Sequence, residues 1–176
     1  MIAEKKLAAL GLELSDLETE YRKTASHAHF ISHYAVQNVL YLSGTVPLRD
    51  GKPFMPGVVG RDVTVEEAYR AARQAALLSL TTIRYALGDL DRVEQALQLL
   101  GFVNSAPGFS DQPRVINGAV DLLVEVYGDR GIPTRAAIGC HGLSRNHSVE
   151  LVLTVLFSGT GVRPPLAREK VPSGPA

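Results

Sequence analysis

Between Thr134 and Phe157 the chain reads TRAAIGCHGLSRNHSVELVLTVLF, apolar enough for two β-strands around a polar turn. It nevertheless carries a guanidinium at Arg135 and a carboxylate at Glu150. An arginine presents a planar fork of donors that matches a carboxylate through two parallel hydrogen bonds. A glutamate near a reacting centre can orient a water molecule and take its proton. Together the two could bind a small acidic molecule and direct water onto it. The plainer readings are an ion pair inside a hairpin, or two solvated side chains. A hairpin turning near Arg145 sets Arg135 opposite about Val155 and Glu150 opposite about Cys140, so the charges are out of step and poor ladder partners. Each then needs a partner on a ligand or on a neighbouring chain.

Other residues offer weaker chemistry. Ser43, in LSGT, stands at a strand end before Gly44. It lacks the Gly-x-Ser-x-Gly frame of a nucleophile, but its hydroxyl and the adjoining amide could hold a ligand oxygen. His27, His29 and His33 share strand parity. With no His-Glu-x-x-His helix and no thiol pair, they are expected to be solvated edge histidines and not metal ligands. Cys140 and His141 are neighbours, so on a strand they face opposite ways and cannot serve as nucleophile and base. Asn117–Gly118 falls within helical spacing, where a glycine costs about 1 kcal/mol relative to alanine. Either a close backbone approach or a tolerated weakness accounts for it.

The elements that must position these groups are legible from local signals. Met1–Leu10 fits a short helix with Ile2, Leu7 and Leu10 on one side and Gly11 as its stop, followed by a polar linker. HAHFISHYAVQNVLYLSGTVP reads as strands over about 28–36 and 38–46, joined at Gln37–Asn38, and Asp50–Gly51 marks a turn. Thr64 and Glu67 form a capping box for a helix running to Leu87 and stopped by Gly88, with a stripe of alanines at 68, 72, 75 and 76. A strand over 93–104 follows. Ser110 or Asp111 then caps a second helix with Ile116, Ala119, Leu123 and Val126 on one face, ending at Gly128. The order β-β-α-β-α-β-β predicts an α+β fold, one sheet with both long helices on one face. Val39, Leu97, Leu99, Leu151 and Leu153 leave more apolar strand surface than a monomer would expose, which predicts self-association. Residues 1–25 are expected as helix and linker, 26–158 as the α+β domain and 159–176, rich in Gly and Pro, as a mobile tail.

Composition narrows the function. The chain has 176 residues, 18 basic and 18 acidic, and a formal net charge of zero. A neutral chain without basic–aromatic clusters makes nucleic acid an unfavourable partner. A single cysteine rules out an intrachain disulfide framework. With no signal-peptide pattern and no run of about 18 apolar residues, no membrane association and a cytoplasmic location are expected.

Five stretches carry a family resemblance: YLSGTVPLRDG, VTVEEAYRAARQAALLSL, GDLDRV, GFVNSAPGFSDQPRVINGAVDLLVEVYG and TRAAIG. Over about residues 28–157 the chain resembles the RidA family, also written YjgF/YER057c/UK114, and more narrowly its branch with a GFVNSAPGF signature. The resemblance implies a chorismate-mutase-like α+β fold and a homotrimer with three ligand clefts between subunits. It implies hydrolysis of reactive enamines and imines, such as 2-aminoacrylate, to 2-keto acids and ammonia, with no metal and no cofactor. Arg135 falls on the arginine that grips the substrate carboxylate, and Glu150 on the acid that positions water. Asn117 matches a pocket-supporting asparagine, and Ser43 and Gly44 match the cleft-lining pair. Phe30 stands where archetypal members have tyrosine, Thr45 replaces a glutamine, and Ala137 replaces a cysteine. The other readings to be weighed are a non-catalytic trimeric sensor of a small carboxylate and, from the family label, an endoribonuclease.

Overall fold

The computed structural model of the protein describes residues 1–23 and 29–167, so His27 lies outside the described residues. Helices α1 (Ile2–Ala9) and α2 (Leu17–Lys23) precede strands β1 (His33–Val36) and β2 (Val39–Leu42) and a small hairpin of β3 (Leu48–Arg49) and β4 (Lys52–Pro53). Then come α3 (Val65–Leu87), β5 (Val93–Asn104), α4 (Gln112–Tyr127), β6 (Thr134–Cys140) and β7 (Val149–Phe157). One five-stranded sheet has the order β1-β2-β7-β5-β6. Its pairings are antiparallel except β5–β6, which is parallel. This is the α+β architecture expected, with α3 and α4 over one face.

Capping chemistry sets the helix bounds. The Thr64 hydroxyl accepts the Glu67 amide N–H, while the Glu67 carboxylate accepts the Thr64 amide N–H. Gly88 closes α3 in a left-handed conformation at φ 79°, which costs glycine little. Ala68, Ala71, Ala72 and Ala75 are fully buried, and their small side chains let α3 lie close to its neighbours. Gly118 answers the question its position raised. A Cβ there would fall 2.0 Å from the Tyr69 carbonyl oxygen, so the glycine lets α4 meet the α3 backbone directly. Tyr69 donates to Asp121 at 2.7 Å beside this crossing.

The opening stretch is not a hairpin. β6 and β7 do not pair with each other; both pair with β5, on its two edges. β5 is twelve residues long and apolar on both sides, so it can accept a partner on each edge. β6 arrives by a crossover through α4, which makes it parallel. Residues 141–148 then carry the chain back to the far edge. Alternation of side chains is the same for either arrangement, so local spacing cannot distinguish them.

Leu99, Leu151 and Leu153 point into the helical layer and are about 1% exposed. That corrects their assignment to the uncovered face. The apolar residues on the uncovered face include Tyr34, Val36, Val39 and Tyr41 with Leu100, Phe102, Val152 and Leu156, and the registers place Gln98, Glu150 and Thr154 beside them. Tyr34 is 60% and Tyr41 50% exposed. At the N-terminus, α1 buries Ala3 and Leu7 and leaves Ile2 and Leu10 exposed. The stretch read as a linker contains α2.

His33 is buried, contrary to the expectation of a solvated histidine, whereas His29 is exposed. Its Nε2 lies 3.0 Å from the Arg163 carbonyl and so donates to it, and Nδ1 accepts from the Ser32 hydroxyl at 2.9 Å. Burial lowers the pKa of this imidazole, against the opposing effect of the Arg163 bond. The segment after β7 is well bonded as far as Ala167. Arg92 donates to the Ser158 and Gly161 carbonyls, Arg163 N–H donates to Ala86, and Ser32 N–H donates to Leu166.

Candidate functional site

Two clusters contain the residues singled out from the sequence. The first is built where β2 gives way. After Leu42 the chain leaves the ladder through Ser43 and Gly44, and Thr45 rejoins β7 by exchanging two hydrogen bonds with Leu151, 2.8 and 2.9 Å. This detour brings Gly44 against Glu150: a Cβ on Gly44 would stand 2.1 Å from Glu150 Oε1. Glycine is the residue that leaves room for the carboxylate. The Ser43 hydroxyl donates to the Ile31 carbonyl at 2.5 Å, so it fixes the loop and is not a free donor. Phe30 stands edge-on to Tyr21 of α2, ring centroids 6.3 Å apart. Phe30, Ser43, Gly44 and Glu150 line one cavity of about 640 Å³, with Val46 and Leu48 among its apolar walls.

Glu150 is half-buried and makes no hydrogen bond or ion pair with any described residue. Burial alone raises its pKa above the ordinary carboxylate range. A carboxylate in that state is a better proton acceptor than a solvated one. Cys140 shares this side of the sheet, and its thiol is pushed up by burial and then by the Glu150 charge. It is therefore held protonated, unsuited to nucleophilic work.

The second cluster is Arg135 with Asn117. The guanidinium donates to Asn117 Oδ1 at 2.6 Å, and among the described residues Arg135 makes no ion pair. Asn117 comes from α4, one residue before the glycine at the helix crossing, so close helix packing fixes its position. The bond orients the arginine but leaves its charge uncompensated.

The two clusters do not share a cleft within one chain. Arg135 is in register with Leu99, whose side chain faces the helices, and Glu150 with Phe102, on the opposite face. Cross-strand neighbours in register share a face. The guanidinium and the carboxylate thus project to opposite sides of the sheet. They are not partners, as the sequence indicated, although the pairing that led to that conclusion was wrong.

Sequence reasoning passed over three residues of this region. Arg145 and His147 line the Glu150 cavity. Asn104, inside the GFVNSAPGF stretch, is buried and ties the neighbouring loops together. Its amide nitrogen reaches the Gly57 carbonyl, Asn146 Oδ1 and the His147 carbonyl at 3.3–3.4 Å, and its Oδ1 accepts the Gly142 N–H at 3.2 Å. His147 has no accessible surface, and neither ring nitrogen has a partner. Burial, and secondarily the Arg145 charge, lower its pKa to about 4. Nothing in the spacing of the sequence marks these three; their importance follows from the crossover. Glu4, Asp89 and Asp91 bring carboxylate oxygens together elsewhere. Asp91 there accepts the N–H groups of Ile2 and Ala3, and Asp89 that of Asp91, which is helix capping. No helix among the described residues is long and apolar enough to cross a membrane.

A family model described as "YjgF/chorismate mutase-like, putative endoribonuclease" matches residues 4–158. Protein TCP17 of Trypanosoma cruzi is 38% identical over 128 residues, 72% of this chain and 80% of that protein. The crystal structure of Atu1372 from Agrobacterium tumefaciens superimposes with a TM-score of 0.80 at 37% identity, covering 89% of this chain and 93% of the other. Escherichia coli TdcF, crystallised with bound serine, shares the fold at a TM-score of 0.53 and 15% identity, covering 78% of this chain and 95% of its own. With the expected order of elements, the mixed five-stranded sheet and this match along most of its length, the chain belongs to the YjgF/chorismate mutase-like family, also known as RidA.

Proposed function

We propose that the protein hydrolyses small carboxylate-bearing enamines and imines to 2-keto acids and ammonia, in clefts shared between copies of the chain in a homotrimer. The observation that carries this reading is the separation of two uncompensated, opposite charges on the two faces of one sheet. A cleft holding both must draw Arg135 and Asn117 from one copy and Glu150, Gly44, Ser43 and Phe30 from another. The apolar uncovered face, with Tyr34, Tyr41, Val152 and Leu156, supplies the surface for such an assembly.

In this cleft Arg135 holds the substrate carboxylate through two parallel hydrogen bonds. An enamine first takes a proton at C3 to become the iminium form of the imine. Water adds to the imine carbon as its proton passes to the Glu150 carboxylate. That proton is returned to nitrogen, the C–N bond breaks to release ammonia, and the hydroxyl group gives its proton back to Glu150 as the C=O bond forms. The raised proton affinity of half-buried Glu150 suits both transfers, and Phe30 with the aliphatic wall limits bulk solvent. TdcF with serine gives a relative that holds a small carboxylate, which supports the ligand class. Neither metal nor cofactor has a part in this scheme.

The test is to generate 2-iminopropanoate in situ and follow pyruvate release. Wild type should accelerate it, and Glu150→Gln and Arg135→Gln should each lose at least about tenfold. No acceleration by wild type, with 2-keto acids still bound through Arg135, would leave a carboxylate sensor instead.

A further inference from the structure

The Glu150 cavity carries a guanidinium of its own that nothing above employs. Arg145 lines it from the crossover between β6 and β7. Its side chain is exposed, and its one hydrogen bond is long, 3.4 Å to the Gly51 carbonyl. Among the described residues it makes no ion pair. Arg145 and Glu150 line the same cavity without forming an ion pair. The acids lining the cavity are Glu20 and Glu150.

The loop holds the backbone of this arginine in place. Arg145 and Asn146 both have left-handed backbones, φ 51° and 58°, which cost non-glycine residues free energy and persist only where the surroundings enforce them. Asn104 supplies the enforcement through Asn146 Oδ1, the His147 carbonyl and the Gly142 N–H. The Gly57 N–H adds a bond to the Asn146 carbonyl at 2.8 Å. A buried amide thus pins a strained pair of residues, and the product is an arginine whose backbone is anchored at the cavity rim.

We propose that Arg145 is a specificity-determining residue that takes a second anionic group of the ligand, so that the preferred ligands are dicarboxylates. This rests on the reading of the Glu150 cleft as the site, with Arg135 of another copy holding the carboxylate next to the reacting carbon. A ligand of four or five carbons with a carboxylate at each end then spans two guanidinium groups with Glu150 between them. A monocarboxylate of equal length leaves Arg145 unpaired.

The experiment compares two keto acids of one chain length, 2-oxoglutarate and 2-oxopentanoate, by calorimetric titration of the full chain at low ionic strength. Wild type should bind the dicarboxylate at least about tenfold more tightly. In Arg145→Gln the ratio should fall to near one, and Arg145→Lys should keep part of it, since a lysine retains the charge without the fork. Urea midpoints of both variants establish that they are folded. A ratio near one in wild type, a ratio that survives in Arg145→Gln, or no binding of either acid overturns the proposal. Hydrolysis of the corresponding imines is followed separately. A preserved ratio without hydrolysis removes the hydrolase reading and leaves the second anion site standing. Hydrolysis without the ratio does the reverse.

Discussion

Arg135 and Glu150 stand on opposite faces of one sheet, each in register with a residue of the same strand, Leu99 for the arginine and Phe102 for the glutamate. If a working cleft needs both, each copy is defective only for the half it supplies. Mixing inactive Arg135→Ala and Glu150→Ala chains by joint refolding should therefore restore about a quarter of wild-type activity, the share of interfaces that pair two intact halves. Continued inactivity of a properly assembled mixture would place the two groups in one chain's site and remove the shared cleft.

Gly44 permits the Glu150 carboxylate to occupy its position, with a hypothetical Cβ only 2.1 Å from Oε1. Gly44→Ala should displace the carboxylate and reduce kcat by at least about tenfold, while stability changes by no more than about 1 kcal/mol. Paired kinetics and urea denaturation measure the two separately. Undiminished kcat in the variant would dissociate Glu150 from the chemistry.

At the helix crossing the obstacle is backbone, which cannot rotate away. Gly118→Ala gains about 1 kcal/mol of helix propensity but sets its methyl 2.0 Å from the Tyr69 carbonyl oxygen. Overpacking should prevail, for a net loss of about 1–3 kcal/mol in denaturant titrations. A more stable variant would mean that the two helices part without cost.

His147 makes stability depend on acidity. Its ring is neutral in the folded chain down to about pH 4, whereas an unfolded histidine takes up its proton near pH 6.5. Between those values the unfolded chain binds the extra proton, so stability is full above about pH 6.5 and declines as pH falls towards 4, by at most about 1.4 kcal/mol per unit. His147→Val should abolish that portion of the slope, as measured by urea midpoints at pH 7, 6 and 5. An unaltered slope would assign the acid sensitivity to other groups.

The uncovered face should hold the copies together. Tyr41, half exposed on that face, becomes a buried charge in an assembly through it once changed to glutamate. With the wild type sedimenting as the proposed trimer, Tyr41→Glu should sediment as a monomer and lose activity at the same time. Trimers in the variant would relocate the interface.

Much of this was legible in the sequence, for identifiable reasons. The capping box at Thr64, the stops at Gly88 and Gly128, and the strand 93–104 are local statements by a few adjacent residues, and the structure repeats them nearly unchanged. The partner of each strand is not local. Arg135 to Phe157 alternates as a hairpin would, and β5 intervened because it is long and apolar on both sides. The site divides the same way. Glu150 and Arg135 were visible as charges in apolar strands, and Gly44 through its neighbour Ser43. Arg145, His147 and Asn104 acquire their places from the crossover, which no spacing announces. The residues around His33 in the sequence do not announce its burial, because its cover is supplied by Arg163, 130 positions further along.

That cover has a practical consequence. The family match stops at residue 158, an inviting place to trim an expression fragment. Such a cut would strip Arg92 of the Gly161 carbonyl and His33 of its acceptor, and would remove the neighbour that Ile31 finds in Ala167. The outermost strand would then offer bare amides to the next molecule, an invitation to clump. Shortened versions of the protein should keep everything through Ala167.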